Sequence, residues 1–226
     1  MYILAVDTCD TAGSAAVLKN KQVLGEINID SPVTHSERLM DSIDFLLRRL
    51  NMDIRRIDGY AIAAGPGSFT GIRIGMSTVK SFSFSSGKPI ATVSRLKALA
   101  YKLSGEGNRL ICPFLDAKKN QVYAALYEKQ IDGVKINIPE GSYYPDEFLS
   151  RLPSRRVIHF IGSGTDAYRE NIRNRLKDCA VASGRSPFAA YEAGRLGYEM
   201  LKLNQGKDYR KASPIYLRKS QAEEKH

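Results

Sequence analysis

The chain opens on a short apolar run over residues 2–7, bounded by a polar turn over 8–13. That pattern predicts a buried strand. Residues 14–18 and 22–29, rich in Val and Ile, predict two more strands. The period then changes. Leu39, Met40, Ile43, Leu46, Leu47 and Leu50 recur at helical spacing behind Thr34 and Glu37, which fit a Thr-x-x-Glu capping box. A helix is expected over 35–50. Residues 59–64 predict a strand running into Gly65-Pro66-Gly67-Ser68, and a helix over 70–86 should stop at Gly87. A strand over 89–93 and a helix over 94–103 follow. Residues 104–107 form the first linker candidate.

The second half starts again with an apolar strand over 110–116, a polar turn and a returning strand over 121–128. Here the pattern echoes the start. Each copy is an apolar strand ending in Asp, a short turn and a strand coming back, with Asp7 and Asp116 lying 109 positions apart. Such an echo points to two copies of one unit. The stretch 139–145 reads as irregular. A strand over 157–161 leads through Gly162-Ser163-Gly164 into a helix over about 166–176. Pro187 is expected to open a last helix to about 204. Residues 213–218 read as a terminal strand and 220–226 as a frayed tail.

Length and composition narrow the class. With 226 residues and 43% hydrophobic side chains, the chain can bury a core and is not disordered. No apolar run approaches the ~20 residues of a membrane span, and the N-terminus lacks the pattern of a signal peptide. Cys9, Cys112 and Cys179 are odd in number and widely spaced, which excludes a disulfide framework, and no Cys/His cluster suggests zinc. A reducing cytoplasm is the simplest compartment. The net charge is +10, unevenly spread: residues 1–100 carry 12 basic and 9 acidic side chains, residues 151–226 carry 16 and 8. The surplus in the last third makes nucleic acid the first partner to consider. Arg169, Arg173 and Lys177 stand at i+4 steps and are candidates for contact with RNA; a solvated basic face is the plainer reading.

Candidate chemistry concentrates in Gly65-Pro-Gly-Ser-Phe-Thr-Gly-Ile-Arg-Ile-Gly75. A glycine-rich turn opening a helix can hold an anion. Gly71 and Gly75 lie on one helix face, each at a cost of ~1 kcal/mol in helix propensity, so close packing against another helix is the favoured reading. Ser68 lacks a Gly-x-Ser-x-Gly elbow. His35, at its helix start, has no evident nucleophile or base partner and reads as a structural or interface residue.

The glycine-rich run, with His35-Ser-Glu-Arg-Leu-Met40 before it, resembles the TsaB (YeaZ) family. The likeness extends over Ile3-Leu-Ala-Val-Asp-Thr8, Asp116-Ala-Lys-Lys-Asn-Gln-Val-Tyr123 and Pro214-Ile-Tyr-Leu-Arg218. It implies an α/β, duplicated, two-lobed actin/Hsp70/sugar-kinase-like fold. The lobes would span 1–105 and 106–226, the last helix packing back on the first. It also implies a role in forming N6-threonylcarbamoyladenosine at position 37 of tRNAs, as a non-catalytic scaffold for the TsaD-like transferase. A TsaE-like ATPase would join the complex, tRNA would be reached through it, and a homodimer could form through the same surface. No cofactor is expected.

Two departures bear on catalysis. Working ATPases of this fold have glycine two residues after each phosphate-loop Asp, whereas here Cys9 and Lys118 occupy those places, so Asp7 and Asp116 should cap turns instead. TsaD-like proteins carry a metal-binding His-x-x-x-His helix where this chain has Arg95 and Leu99, neither of which ligates like imidazole. The partner surface is expected on helices 35–50 and 70–86, from His35, Leu39, Met40, Ile43, Leu46, Gly71, Ile74, Gly75, Thr78 and Phe82. An ATP-dependent small-molecule kinase of the same fold, or a direct tRNA-binding module, are the alternatives.

Overall fold

The computed structural model describes residues 1–31, 33–103, 109–131 and 133–218. The elements run β1 (Tyr2–Asp7), β2 (Gly13–Lys19), β3 (Gln22–Ile29), α1 (His35–Arg49), β4 (Gly59–Ala63), α2 (Phe69–Ser86), β5 (Ile90–Val93) and α3 (Arg95–Lys102). They continue with β6 (Leu110–Asp116), β7 (Val122–Gln130), β8 (Gly133–Tyr143), α4 (Pro145–Ser150), β9 (Ile158–Ile161), α5 (Gly164–Ala167), α6 (Arg169–Leu176), β10 (Ala180–Ala182) and α7 (Ala190–Lys202).

Two five-stranded sheets share one topology. The first has the order β3-β2-β1-β4-β5 and the second β8-β7-β6-β9-β10. In each, the leading strand runs antiparallel to the next one in sequence and parallel to the strand that arrives after a helix. The echo between Asp7 and Asp116 is therefore an echo of whole sheets. Both Asp side chains cap the turn that follows: Asp7 Oδ1 accepts from the Cys9 N–H at 3.0 Å and Asp116 Oδ1 from the Lys118 N–H at 2.8 Å.

The chain divides into two compact units, Met1–Ala98 with Phe188–Ile215, and Leu99–Pro187 with the chain from Tyr216. The division differs from the expected ranges because residues 188–215 leave the second unit. In the first unit β1 is buried on both faces. Leu4 and Val6 share a core with Leu39, Ile43, Leu46, Met76 and Val79 of α1 and α2. Ile3 and Ala5 share another with Ala190 and Leu201 of α7. Helix α7 lies very close to its sheet: a Cβ on Gly197 would come within 2.5 Å of Ala61 Cβ. In the second unit Phe114, Phe148, Phe160 and Tyr168 form the aromatic centre.

Several boundaries depart from the sequence pattern. The stretch expected to be irregular belongs to β8, whose register slips opposite Ala124–Leu126. Pro139, which has no N–H to give the ladder, sits in that slip. The helix expected over 166–176 is interrupted at Tyr168, whose φ of −120° and ψ of 31° separate α5 from α6. Helix α7 begins at Ala190, not at Pro187. Residues 213–218 form no strand; they are irregular and bend at Leu217 and Arg218, with Ile215 N–H donating to the Ala64 carbonyl at 2.8 Å. Strand β10 had no sequence signal beyond three small residues. The linker candidate 104–107 and the tail 220–226 lie outside the described residues.

Candidate functional site

The turn after β1 is where this topology would present a phosphate loop. Here every face of that turn is held by the protein itself. The buried guanidinium of Arg95, at the start of α3, lies 3.3 Å from Asp7 Oδ2 and 3.4 Å from Asp10 Oδ2. Both Arg95 and Asp7 are 2% exposed. Burial alone would push the Arg95 pKa down, but the charge of Asp7 foremost, with Asp10, more than reverses this and raises it. The Arg95 backbone N–H is also committed, to the Gly65 carbonyl at 2.7 Å.

From the other side, α1 clamps the turn. His35 Nε2 donates to the Asp10 carbonyl at 2.5 Å, because a carbonyl can only accept. Its Nδ1 then accepts from Arg38 Nη2 at 3.4 Å. Arg38 also donates to the carbonyls of Thr11 and Ser31. His35 and Arg38 are both buried.

Above lies α2 with its glycine run. A Cβ on Gly67 would meet the Cys9 carbonyl oxygen at 2.1 Å, one on Gly71 the Thr8 carbonyl oxygen at 2.0 Å, and one on Gly75 the Thr8 Oγ1 at 2.3 Å. The glycines therefore serve packing, chiefly against the Thr8–Cys9 turn, with His35 of α1 the one helix contact, 3.4 Å from a Cβ on Gly71. Thr8 Oγ1 donates to the Gly71 carbonyl at 2.7 Å, and Ser68 N–H donates to the Cys9 carbonyl at 2.6 Å. The Ser68 hydroxyl caps the helix by accepting from Gly71 N–H at 3.2 Å. Two of the backbone donors at the start of α2, Ser68 N–H and Gly71 N–H, are thus already engaged.

Cys9 sits in this layer with Sγ 3.0 Å from the Ala63 carbonyl. Burial, then the Asp7 charge, pushes its thiol pKa well up, and burial does the same for Cys112. Cys179 is only half-buried. In the folded protein Cys179 alone should react with a thiol-specific reagent such as DTNB, rapid modification of Cys9 being the contrary result.

In the second unit Gly162-Ser163-Gly164 packs tightly rather than opening a site. Cβ atoms on Gly162 and Gly164 would meet the Phe114 carbonyl oxygen at 2.9 Å and 2.8 Å, and Ser163 Oγ accepts from Asp116 N–H at 3.2 Å. Among the described residues no three His, Cys, Asp or Glu gather as metal ligands, and no helix is long and apolar enough to cross a membrane.

The residues expected at a partner surface separate into two sets. His35, Leu39, Ile43 and Leu46 are buried in their own unit, and Gly71 and Gly75 face Thr8. In this structure the sheet takes the very row of α1 that the sequence offered to a partner. Met40 is 50% exposed, while Ile74, Thr78 and Phe82 are half-buried. Phe82 also stacks on Tyr60 with ring centres 5.9 Å apart. Elsewhere, Arg169, Arg173 and Lys177 come together on one groove beside β10. In the sequence Arg95 stands out only for the imidazole it replaces. An arginine after a buried strand, with Asp at the end of another strand of the same sheet, is the signal for its pair with Asp7.

Against known proteins, the family model described as TsaD, tRNA N6-adenosine threonylcarbamoyltransferase, matches residues 30–225. The tRNA threonylcarbamoyladenosine biosynthesis protein TsaB of Bacillus subtilis (strain 168) is 30% identical over 229 residues, covering 100% of this chain and 97% of that protein. The solved structure of YeaZ from Pseudomonas aeruginosa superposes with a TM-score of 0.82 at 25% identity, over 96% of this chain and 99% of that one. A ROK hexokinase from Thermus thermophilus, with a TM-score of 0.53, 12% identity and coverage of 89% and 100%, shares the fold alone. The fold is thus the duplicated actin/Hsp70/sugar-kinase-like one.

Proposed function

The chain belongs to the TsaB (YeaZ) family, and on that premise we propose that it is a non-catalytic subunit in the formation of N6-threonylcarbamoyladenosine on tRNA. It supports a TsaD-like transferase by pairing with it, and a TsaE-like ATPase completes the assembly in the cytoplasm. The observation that carries the non-catalytic part is the closed turn at Asp7. The Arg95 guanidinium is paired with the Asp7 carboxylate, and Gly67 and Gly71 are packed on the turn's backbone. The Thr8 and Cys9 carbonyls are packed against Gly71 and Gly67, and the Ser68 and Gly71 N–H groups are already engaged.

The pairing is assigned to the outward sides of α1 and α2, with Met40 as the exposed apolar contact and Ile74, Thr78 and Phe82 beside it. The buried row Leu39, Ile43 and Leu46 holds these helices in place. A self-pair through the same surface would be isologous.

Met40→Glu combined with Thr78→Glu should abolish co-purification with the TsaD-like partner and suppress tRNA modification in a reconstituted assay. The denaturation midpoint should be unchanged, because Met40 is exposed and Thr78 lies at the edge of the core. Recovery of the partner at wild-type yield would refute the assigned surface. ATP turnover by the isolated chain, lost in Asp7→Asn, would refute the non-catalytic assignment. Gly75→Arg is unsuitable as an interface probe, since its side chain would strike Thr8 within the unit.

A further inference from the structure

We propose that the groove between α6 and β10 binds a length of RNA phosphodiester backbone. The inference deepens the reading above and rests on it only for the choice of RNA as the polyanion. The groove has a volume of about 760 Å3, with Phe160 and Ile172 in its floor and Arg169, Arg173 and Lys177 along one wall. It lies wholly within the second unit.

Three observations give it chemical direction. The first is uncompensated charge. Two other arginines of this stretch are paired, Arg151 with Glu147 and Arg156 with Glu128 at 2.7 Å. Arg169 is 2.6 Å from Asp166, but the side chains of Arg173 and Lys177 make no ion pair or hydrogen bond among the described residues. Asp178 is the one acidic side chain lining the groove against three cations.

The second is a waiting polar atom. Thr165 Oγ1, in the groove wall, is buried and has no hydrogen-bond partner among the described residues. A buried hydroxyl is ordinarily paired, and rotation of the Thr165 side chain into the groove would bring this one to a phosphate oxygen. The third is backbone conformation. Lys177 ends α6 with φ 49° and ψ −125°, which non-glycine residues seldom adopt. Lys177 lines the groove with the other two all the same.

The layout selects a strand over a single phosphate. Along a helix an i+4 step rises about 6 Å, so Arg169 and Arg173 stand apart by about the spacing of successive phosphates in an RNA strand, and Lys177, which closes α6, follows them. A lone phosphate calls for donors that converge; these cations are strung out in a row.

The test uses the full chain and a fluorescently labelled, unmodified tRNA transcript, titrated at several salt concentrations. Each phosphate contact contributes about 0.7–0.9 to the slope of log affinity against log salt. Arg169→Gln, Arg173→Gln and Lys177→Gln together should lower that slope by about 2 and weaken binding by about tenfold or more at low salt. Lys19→Gln, Lys88→Gln and Lys97→Gln, an equal charge loss in the first unit, should leave the slope unchanged. The proposal is overturned if the wild-type chain binds no tRNA, if the groove variant retains slope and affinity, or if the control loses as much. It is also overturned if polyglutamate or ATP displaces the tRNA at equal charge concentration. Partner co-purification, measured on the same groove variant, reports separately on the pairing reading.

Discussion

Replacing Arg95 with alanine is expected to destabilise the protein by about 3–5 kcal/mol, the range for removing one partner of a buried ion pair. The magnitude follows from what is left behind. Asp7 is 2% exposed, so without the guanidinium its carboxylate must either stay charged in a low-dielectric interior or take up a proton. Asp10 is 33% exposed and can turn to water. Denaturant unfolding of Arg95→Ala measures the loss, with Arg155→Ala as an exposed arginine for comparison. The double variant Asp7→Asn with Arg95→Met should recover most of it. The amide oxygen of Asn can still accept from Cys9 N–H, and the methionine refills the volume without a charge to pair. A loss in Arg95→Ala no larger than in Arg155→Ala would mean that the pair does not anchor the turn.

The second large effect is expected at Gly71, where two terms of opposite sign compete. Alanine gains ~1 kcal/mol of helix propensity over glycine, so Gly71→Ala would stabilise a free helix. Here its Cβ would sit 2.0 Å from the Thr8 carbonyl oxygen. That oxygen is backbone, in a turn already held by Asp7, Arg95 and Ser68, and it cannot swing away as a side-chain tip would. Overpacking typically costs about 1–3 kcal/mol. At this distance the cost lies at or above the upper end, for a net loss of about 2 kcal/mol or more. Gly184→Ala, where no atom lies within 4 Å, should stay within about 0.5 kcal/mol of wild type. Net stabilisation by Gly71→Ala would show that α2 does not seat on the Thr8 turn.

What the sequence made legible followed periodicity and punctuation. Helices α1 and α2 were readable because capping residues and Gly87 mark their limits, Gly87 adopting φ +70° at the end of α2. The duplication was readable because each copy ends its first strand in a turn-capping Asp. Strand β8 was obscured by Pro139 and Gly141, turn formers by habit, which the register slip of a long hairpin absorbs. Partner assignment was harder for a physical reason. An apolar row on a helix says that something covers it, not whether the cover is the chain's own sheet. Leu39, Ile43 and Leu46 looked the same either way, and only three dimensions separate them from Met40. The Arg95–Asp7 pair spans 88 positions, beyond the reach of any local pattern.

The return of α7 to the first sheet has a consequence for synthesis. The face carrying Ala5, Ala61 and Ala91 emerges from the ribosome early, but its cover, with Gly194 and Gly197 pressed against it, lies more than a hundred residues later. During translation the leading half cannot close its second face, and its contacts are long-range ones that form slowly. A nascent chain halted before residue 188 therefore presents a bare strip of small apolar residues. Such a strip is the surface on which a holding chaperone acts, or on which aggregation begins if none is present.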